Sequence, residues 1–266
     1  MKIILLSLLL FPVLIYSQIS YNTEDQFSLN NPSAFSNQKI YATGLVNFGS
    51  FEDLYYLSSF LQYKQKVKAF SFGINTAFKR FGPLLYSSSE IQIGYPYQIN
   101  RKYLLNSGLG LSVGTVNNLS TSSWNPAYFG LNPGISLVSK KGQVGLSLIN
   151  MKHPSIFASY DFKLDTTGNL HFITSLYFEF EPYYFVNTLF NFKFQALNNS
   201  LGISYSNYNP AIFYQHQLKN SLTVGVSVGK YWSPLNSSFD KSWNGMVRLN
   251  YSFKRKEYNC TGTPSF

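Results

Sequence analysis

Charge is scarce in this chain. Charged residues fill only 12% of its 266 positions, roughly half the share of an ordinary soluble domain, so the usual solvated surface over an apolar core is not available. Cys260 is the single cysteine, which excludes an internal disulfide and any scaffold held by bridges. His153, His171 and His216 are scattered and form no ligand motif, so no metal is expected. Apolar runs of the roughly 20 residues that a membrane-spanning helix needs are missing beyond residue 17. Ser, His and Asp occur without a nucleophile-elbow sequence. The run GLGLSVG at Gly108 to Gly114 lacks the Lys-Ser/Thr ending and the following helix of a phosphate loop. The chain is therefore read as non-enzymatic and without a cofactor.

Aromatic residues are plentiful, with 24 Phe and 21 Tyr, yet the mean hydropathy is only -0.08. Alternation reconciles the two. In WNGMVRLNYSF, Trp243, Gly245, Val247, Leu249, Tyr251 and Phe253 share one face, and Asn244, Met246, Arg248, Asn250 and Ser252 the other. Such a strand fits a membrane barrel, apolar outside and polar inside. Taken alone it equally fits the edge of a soluble sandwich. The same design recurs at Phe70 to Phe78, Ile91 to Tyr97, Leu109 to Val113, Val186 to Phe194 and Leu222 to Val228. In all, strands are expected near 39–48, 54–64, 67–78, 85–98, 103–115, 130–139, 143–150, 156–163, 169–180, 183–195, 199–207, 210–217, 221–231 and 243–253. Pro96 calls for a kink or bulge in its strand.

The connections favour the barrel. Those after even-numbered strands are short and polar, whereas the two longest, near Val116 to Phe129 and Trp232 to Ser242, follow odd-numbered strands. Short turns on one side and long loops on the other are the asymmetry of outer-membrane barrels, and a sandwich has no reason to obey it. The expected fold is an all-β, antiparallel up-and-down transmembrane barrel of about 14 strands over residues 39–253.

Around it, residues 1–17 read as a signal peptide, with Lys2, an apolar core and Ser17. Residues 18–38 are irregular and carry an Asn-Asn-Pro break, so they either plug the barrel or stay in the periplasm. Residues 254–266 form a polar tail. The net charge of +10, in an exported chain, points to membrane phosphates or an acidic protein and not to nucleic acid. Strand phases put Glu90, Glu179, Glu181, Lys193 and Arg248 on the inner face, as a solvated or ion-paired interior. The periplasmic rim collects Lys64, Lys66, Arg101, Lys102, Lys140, Lys141 and Lys219, a candidate partner surface. Tyr63, Tyr97, Phe180, Tyr183, Tyr231 and Tyr251 suit interfacial girdles.

FSLNNPSAFSN at Phe27 to Asn37, FGPLLYSSSEIQIGYPYQI, LNSGLGLSVG, FGLNPGISLVSKKGQVGLSLIN and the closing MVRLNYSF resemble, in order and spacing, the PorP/SprF family of outer-membrane proteins associated with the type IX secretion system of Bacteroidota. Ser33 and Ala34 stand where that family usually has alanine and an aromatic, and the tail after Phe253 extends beyond its usual end. The resemblance implies an outer-membrane barrel that works by protein contacts, with secretion components or with a large secreted surface protein. A channel for small or hydrophobic solutes is the alternative.

Overall fold

The computed structural model describes residues 30–34, 40–51, 54–67, 69–81, 83–118, 123–124, 128–180, 186–206, 209–219, 222–230 and 243–253. Residues 1–17, expected to be a signal peptide, and 254–266, expected to be a tail, lie outside them. The chain forms a closed antiparallel barrel of 14 strands: β1 (Ile40–Phe51), β2 (Leu54–Val67), β3 (Phe70–Phe81), β4 (Leu84–Gln98), β5 (Tyr103–Asn118), β6 (Tyr128–Ser139), β7 (Gly142–Ile149), β8 (His153–Lys163), β9 (Leu170–Phe180), β10 (Val186–Ala196), β11 (Asn199–Ser206), β12 (Asn209–Lys219), β13 (Leu222–Lys230) and β14 (Trp243–Phe253). Each strand pairs with its neighbours in sequence, and β14 closes the ring on β1 from Phe253↔Ile40 to Trp243↔Ser50. Every expected strand is present.

The burial is inverted relative to a soluble protein. On β14, Leu249 is 51% exposed while Arg248 is 5% exposed. The same holds around the ring, with Ile74, Ile91, Leu111 and Ile212 exposed and Gln62, Asn75, Gln92 and Asn191 buried. Only a medium less polar than water makes that arrangement favourable, because a soluble sheet would bury the isoleucines and solvate the amides. No helix among the described residues is long and apolar enough to cross a membrane; the strands do it.

Three expectations change in detail. β5 continues to Asn118, and Ser123–Trp124 pairs back on it (Asn117↔Trp124, Asn118↔Ser123), so part of the expected long loop is hairpin. Thr115 and Asn117 break the apolar alternation on the outer face without breaking the ladder, which is why the sequence pattern stopped early. β8 begins at His153, before Pro154, and not at 156. Pro96 needs no bulge. The β3–β4 ladder ends at Ser71↔Gly94, while Pro96 remains opposite Asn106 of β5, so the missing N–H costs nothing on a side that has no partner.

Candidate functional site: an occupied lumen

Residues 30–34 lie inside the barrel. Asn31, Pro32, Ser33 and Ala34 make a turn in which Ala34 N–H donates to Asn31 O at 3.0 Å. Proline at the second position presets that geometry. The Asn31 side chain reinforces it, its Oδ1 accepting from Ser33 N at 2.8 Å and Ser33 Oγ at 2.6 Å. The Asn-Pro pair, read from sequence as a break, is thus a turn with its own lock.

The inner wall then holds the turn from several strands. Asn30 Nδ2 donates to Tyr177 OH on β9 at 2.6 Å. Asn31 Nδ2 donates to Leu146 O on β7 at 3.0 Å. Ser147 Oγ donates to Asn30 O at 2.9 Å, Ser136 Oγ on β6 to Ser33 O at 3.1 Å, and Lys64 Nζ on β2 to Ala34 O at 2.9 Å. Irregular backbone at membrane depth must find such partners within the protein. The fit is close. A Cβ on Gly108 would come within 2.6 Å of Ser33 N, and one on Gly134 within 3.1 Å of Pro32 Cδ. Only glycine on β5 and β6 leaves room for the turn.

Charge inside the barrel is compensated between strands. Lys64 and Glu90 attract each other, and so do Lys79 and Glu179. Glu90 also accepts from the Gln92 amide at 3.2 Å, and Glu179 from Tyr177 OH at 3.2 Å. Lys193 and Arg248 face inward as well, half-buried and buried. Apolar packing fills other parts of the interior. Leu45, Phe60, Ala211 and Met246 form one buried cluster, and Phe157, Tyr177 and Leu189 pack with Ala34 in another.

Against expectation, Lys64 is not on the rim. It is 4% exposed and reaches the plug, because β2 runs on to Val67 and carries position 64 inside. Lys79 is an inner-face residue of β3 with its Nζ 5.9 Å from the Tyr86 ring centroid. Arg101, Lys102, Lys140 and Lys141 are exposed at the short-turn end, and Lys66 is half-buried there. Their turns are capped by side chains: Asn100 Oδ1 accepts from Lys102 N at 2.8 Å and Tyr103 N at 3.0 Å, and Ser139 Oγ accepts from Gly142 N at 3.1 Å. Since Tyr103 pairs with Ser139, the two turns are neighbours and the four cations form one patch. Glu181, Tyr183, Tyr231 and the Lys219 side chain lie outside the description. Tyr63, Tyr97, Phe180 and Tyr251 are exposed on the outer face.

The seat itself was missed in the sequence. Ser136, Ser147 and Tyr177 look like ordinary inner-face polar residues, and the usable signal was the coincidence of inward glycines on adjacent strands with a preceding Asn-Pro turn. Among the described residues no group of three or more His, Cys, Asp or Glu could hold a metal ion.

Fold and interior together define a membrane β-barrel whose lumen is occupied by its own N-terminal segment. No family model matches the chain, and no curated protein does. Among solved structures it is similar to a monoaromatic hydrocarbon channel, a TodX mutant, at TM-score 0.58 and 8% identity, covering 87% of this chain and 94% of that one. It is similar to the monoaromatic hydrocarbon channel CymD at TM-score 0.52 and 10% identity over 87% and 94%. The Pseudomonas putida toluene transporter TodX gives TM-score 0.52 and 8% identity over 88% and 93%. At such identities the likeness is one of fold.

Proposed function

We propose that this chain is an outer-membrane barrel of the type IX secretion system, which assists export or surface attachment of a partner protein through protein contacts. The observation that carries this reading is the filled interior. Phe60, Phe157, Tyr177 and Leu189 are among the largest fully buried side chains, and residues 30–34 are bonded to β2, β6, β7 and β9. A porin keeps its lumen filled with water; a barrel that acts by its surfaces has no such need. The family resemblance of the sequence supports the secretion role. With the short turns on the periplasmic side, as is usual in outer-membrane barrels, the Arg101, Lys102, Lys140, Lys141 patch is the surface offered to periplasmic components.

A gated channel is the second reading. It is favoured by the fold shared with hydrocarbon channels and by a plug held through hydrogen bonds and the packing of Ala34.

Two measurements separate them: surface proteins in the native host after deletion of the gene, and conductance of the full-length purified barrel in planar bilayers. The partner reading expects one large exported protein to leave the surface and the bilayer to stay silent. Intact surface proteins together with conductance, or with uptake of small aromatic solutes that deletion abolishes, would reverse the order.

A further inference from the structure

Four cations stand at the border of the lipid-facing surface without a counter-charge. Arg101 and Lys102 lie on the turn between β4 and β5, Lys140 and Lys141 on the turn between β6 and β7, and all four are exposed. Among the described residues none of their side chains has an ion-pair or hydrogen-bond partner. The described acidic side chains are engaged elsewhere. Glu90 and Glu179 lie inside the barrel, and Asp165 is bonded within its own turn. Asp161 is joined to Lys141 through the backbone, its N–H donating to Lys141 O at 2.7 Å, yet its carboxylate faces His171 Nδ1 at 2.8 and 3.0 Å.

The outer wall next to these turns has its own composition. Tyr97 on β4, Tyr103 on β5 and Tyr160 on β8 are exposed there, and among the described residues their hydroxyls have no hydrogen-bond partner. Between Tyr103 and Tyr160 the surface is low. Tyr103 pairs with Ser139, Ser139 Oγ donates to Gly142 O at 3.0 Å, and Gly142 pairs with Tyr160. Two phenol rings three strand spacings apart, about 14 Å, therefore flank two residues with almost no side chain. Leu137 and Val144, exposed and opposite each other, give this low stretch an apolar floor toward the middle of the barrel. Lys140 and Lys141 stand at its mouth, and Asn100 and Ser139 stiffen both turns through backbone N–H groups.

An apolar floor, phenol donors at its border and cations just beyond follow the profile of one lipid molecule, from acyl chain to ester to phosphate. Lysine meets a phosphate as a point charge, and arginine meets it with two parallel N–H bonds. We propose that this stretch of the short-turn rim binds an anionic phospholipid. Its chains lie against Leu137 and Val144, its phosphate among Lys140, Lys141, Arg101 and Lys102, and Tyr103 and Tyr160 stand on either side. The outer face of a membrane barrel is in lipid already, so a lipid is always beside these cations and charge selects which one. The proposal goes beyond the partner reading and stands for either function. The lipid takes the flank of the turns next to the membrane and leaves their far side to protein.

The test uses the purified full-length barrel in detergent micelles, with folding checked by gel mobility before and after boiling. It is titrated with phosphatidylglycerol or phosphatidylcholine while native mass spectrometry counts bound lipid. Each cation near an anionic surface is worth about fivefold in association, so the parent should hold phosphatidylglycerol with a Kd at least about tenfold below that for phosphatidylcholine. Arg101→Ser, Lys102→Ser, Lys140→Ser and Lys141→Ser together should erase that preference, and the two lysine changes at 140 and 141 alone should remove most of it. Lys152→Ser, at an exposed cation of the opposite end, should leave it unchanged. No preference in the parent overturns the proposal. So does an equal loss from Lys152→Ser and from the lysine pair, which would mean diffuse attraction by net charge. Inorganic phosphate at the same concentration should not displace the lipid; displacement would make the rim a site for free anions and overturn the lipid assignment. A folded fourfold variant that keeps the preference also overturns it and leaves these cations to a protein partner alone.

Discussion

Gly108→Ala should unseat the plug. Its Cβ would fall within 2.6 Å of Ser33 N and closer still to the Pro32 carbonyl, and these are backbone atoms that cannot swing aside. The energetics of the seat make this consequential. Neutral bonds from Asn30, Asn31, Ser136 and Ser147 contribute about 1 kcal/mol each, and the charged bond from Lys64 about 2 kcal/mol. Ordering residues 30–34 costs about 5 to 8 kcal/mol at about 1 to 2 kcal/mol per residue, less for proline. Gain and cost nearly cancel. Displacing the turn far enough to lose the Ser136 and Lys64 bonds forfeits about 3 kcal/mol, which is more than a hundredfold in the ratio of open to seated forms. Alanine in a strand is otherwise harmless, and Gly44→Ala serves as the control, because its Cβ meets only the flexible Leu61 Cδ2 at 3.2 Å. The assay is the rate at which a bulky maleimide modifies Ser33→Cys in a Cys260→Ser background of the full-length barrel. Buried Ser33 should react slowly in the parent and with Gly44→Ala, and far faster with Gly108→Ala. Equal rates in all three would refute the seat as described.

Leu249→Arg places a charge against hydrocarbon and should lower unfolding free energy in liposomes by about 2 to 4 kcal/mol, whereas Asn250→Arg on the inner face should cost less; equal losses in a urea titration would mean the faces are misassigned. Reversing Arg101, Lys102, Lys140 and Lys141 to Glu should leave the barrel inserted but weaken co-purification with periplasmic secretion components, most visibly at low salt, where attraction between exposed charges is least screened; unchanged recovery would remove the patch from the interface. A tag inserted at Asn118 should be reached by antibody on intact cells and one at Lys140 should not, and the reverse pattern would invert the orientation. In the turn between β8 and β9, the Thr167 hydroxyl and the amides of Leu170 and Asn169 hold the Asp165 carboxyl at about 2, below its ordinary 3.8. A depressed value means the contribution is complete above about pH 4 and is lost as pH falls through about 2, so exchange protection of the Leu170 amide should survive at pH 3 and disappear near pH 2, and Asp165→Asn should abolish that dependence.

The barrel was legible because its strands obey a period of two. Leu249 and Arg248, Ile91 and Gln92, Leu111 and Gly110 fall on the faces their phase dictates, and turn lengths gave the parity. Boundaries were less legible, since hydropathy reports contact with lipid and not pairing. Lys64 and Lys66 ended the apparent strand, yet Val67 still pairs with Phe70. That mistake moved Lys64 from the lumen to the rim and hid its bond to Ala34. Period alone also could not show that residues from five strands, including Ser136 and Tyr177, converge on one turn; that is a property of curvature.

Closure of the ring by β14 against β1 sets an order of assembly. Residues 30–34 precede β1 in the chain, while the groups that receive them belong to β2, β5, β6, β7 and β9. An incomplete sheet ending at β9 already carries every one of those groups, and its concave side is open. Once Phe253 has zipped onto Ile40, the same segment could enter only over a rim. The filling is thus in hand before the wall is finished, and the sheet can curl around it as a mould curls around its cast.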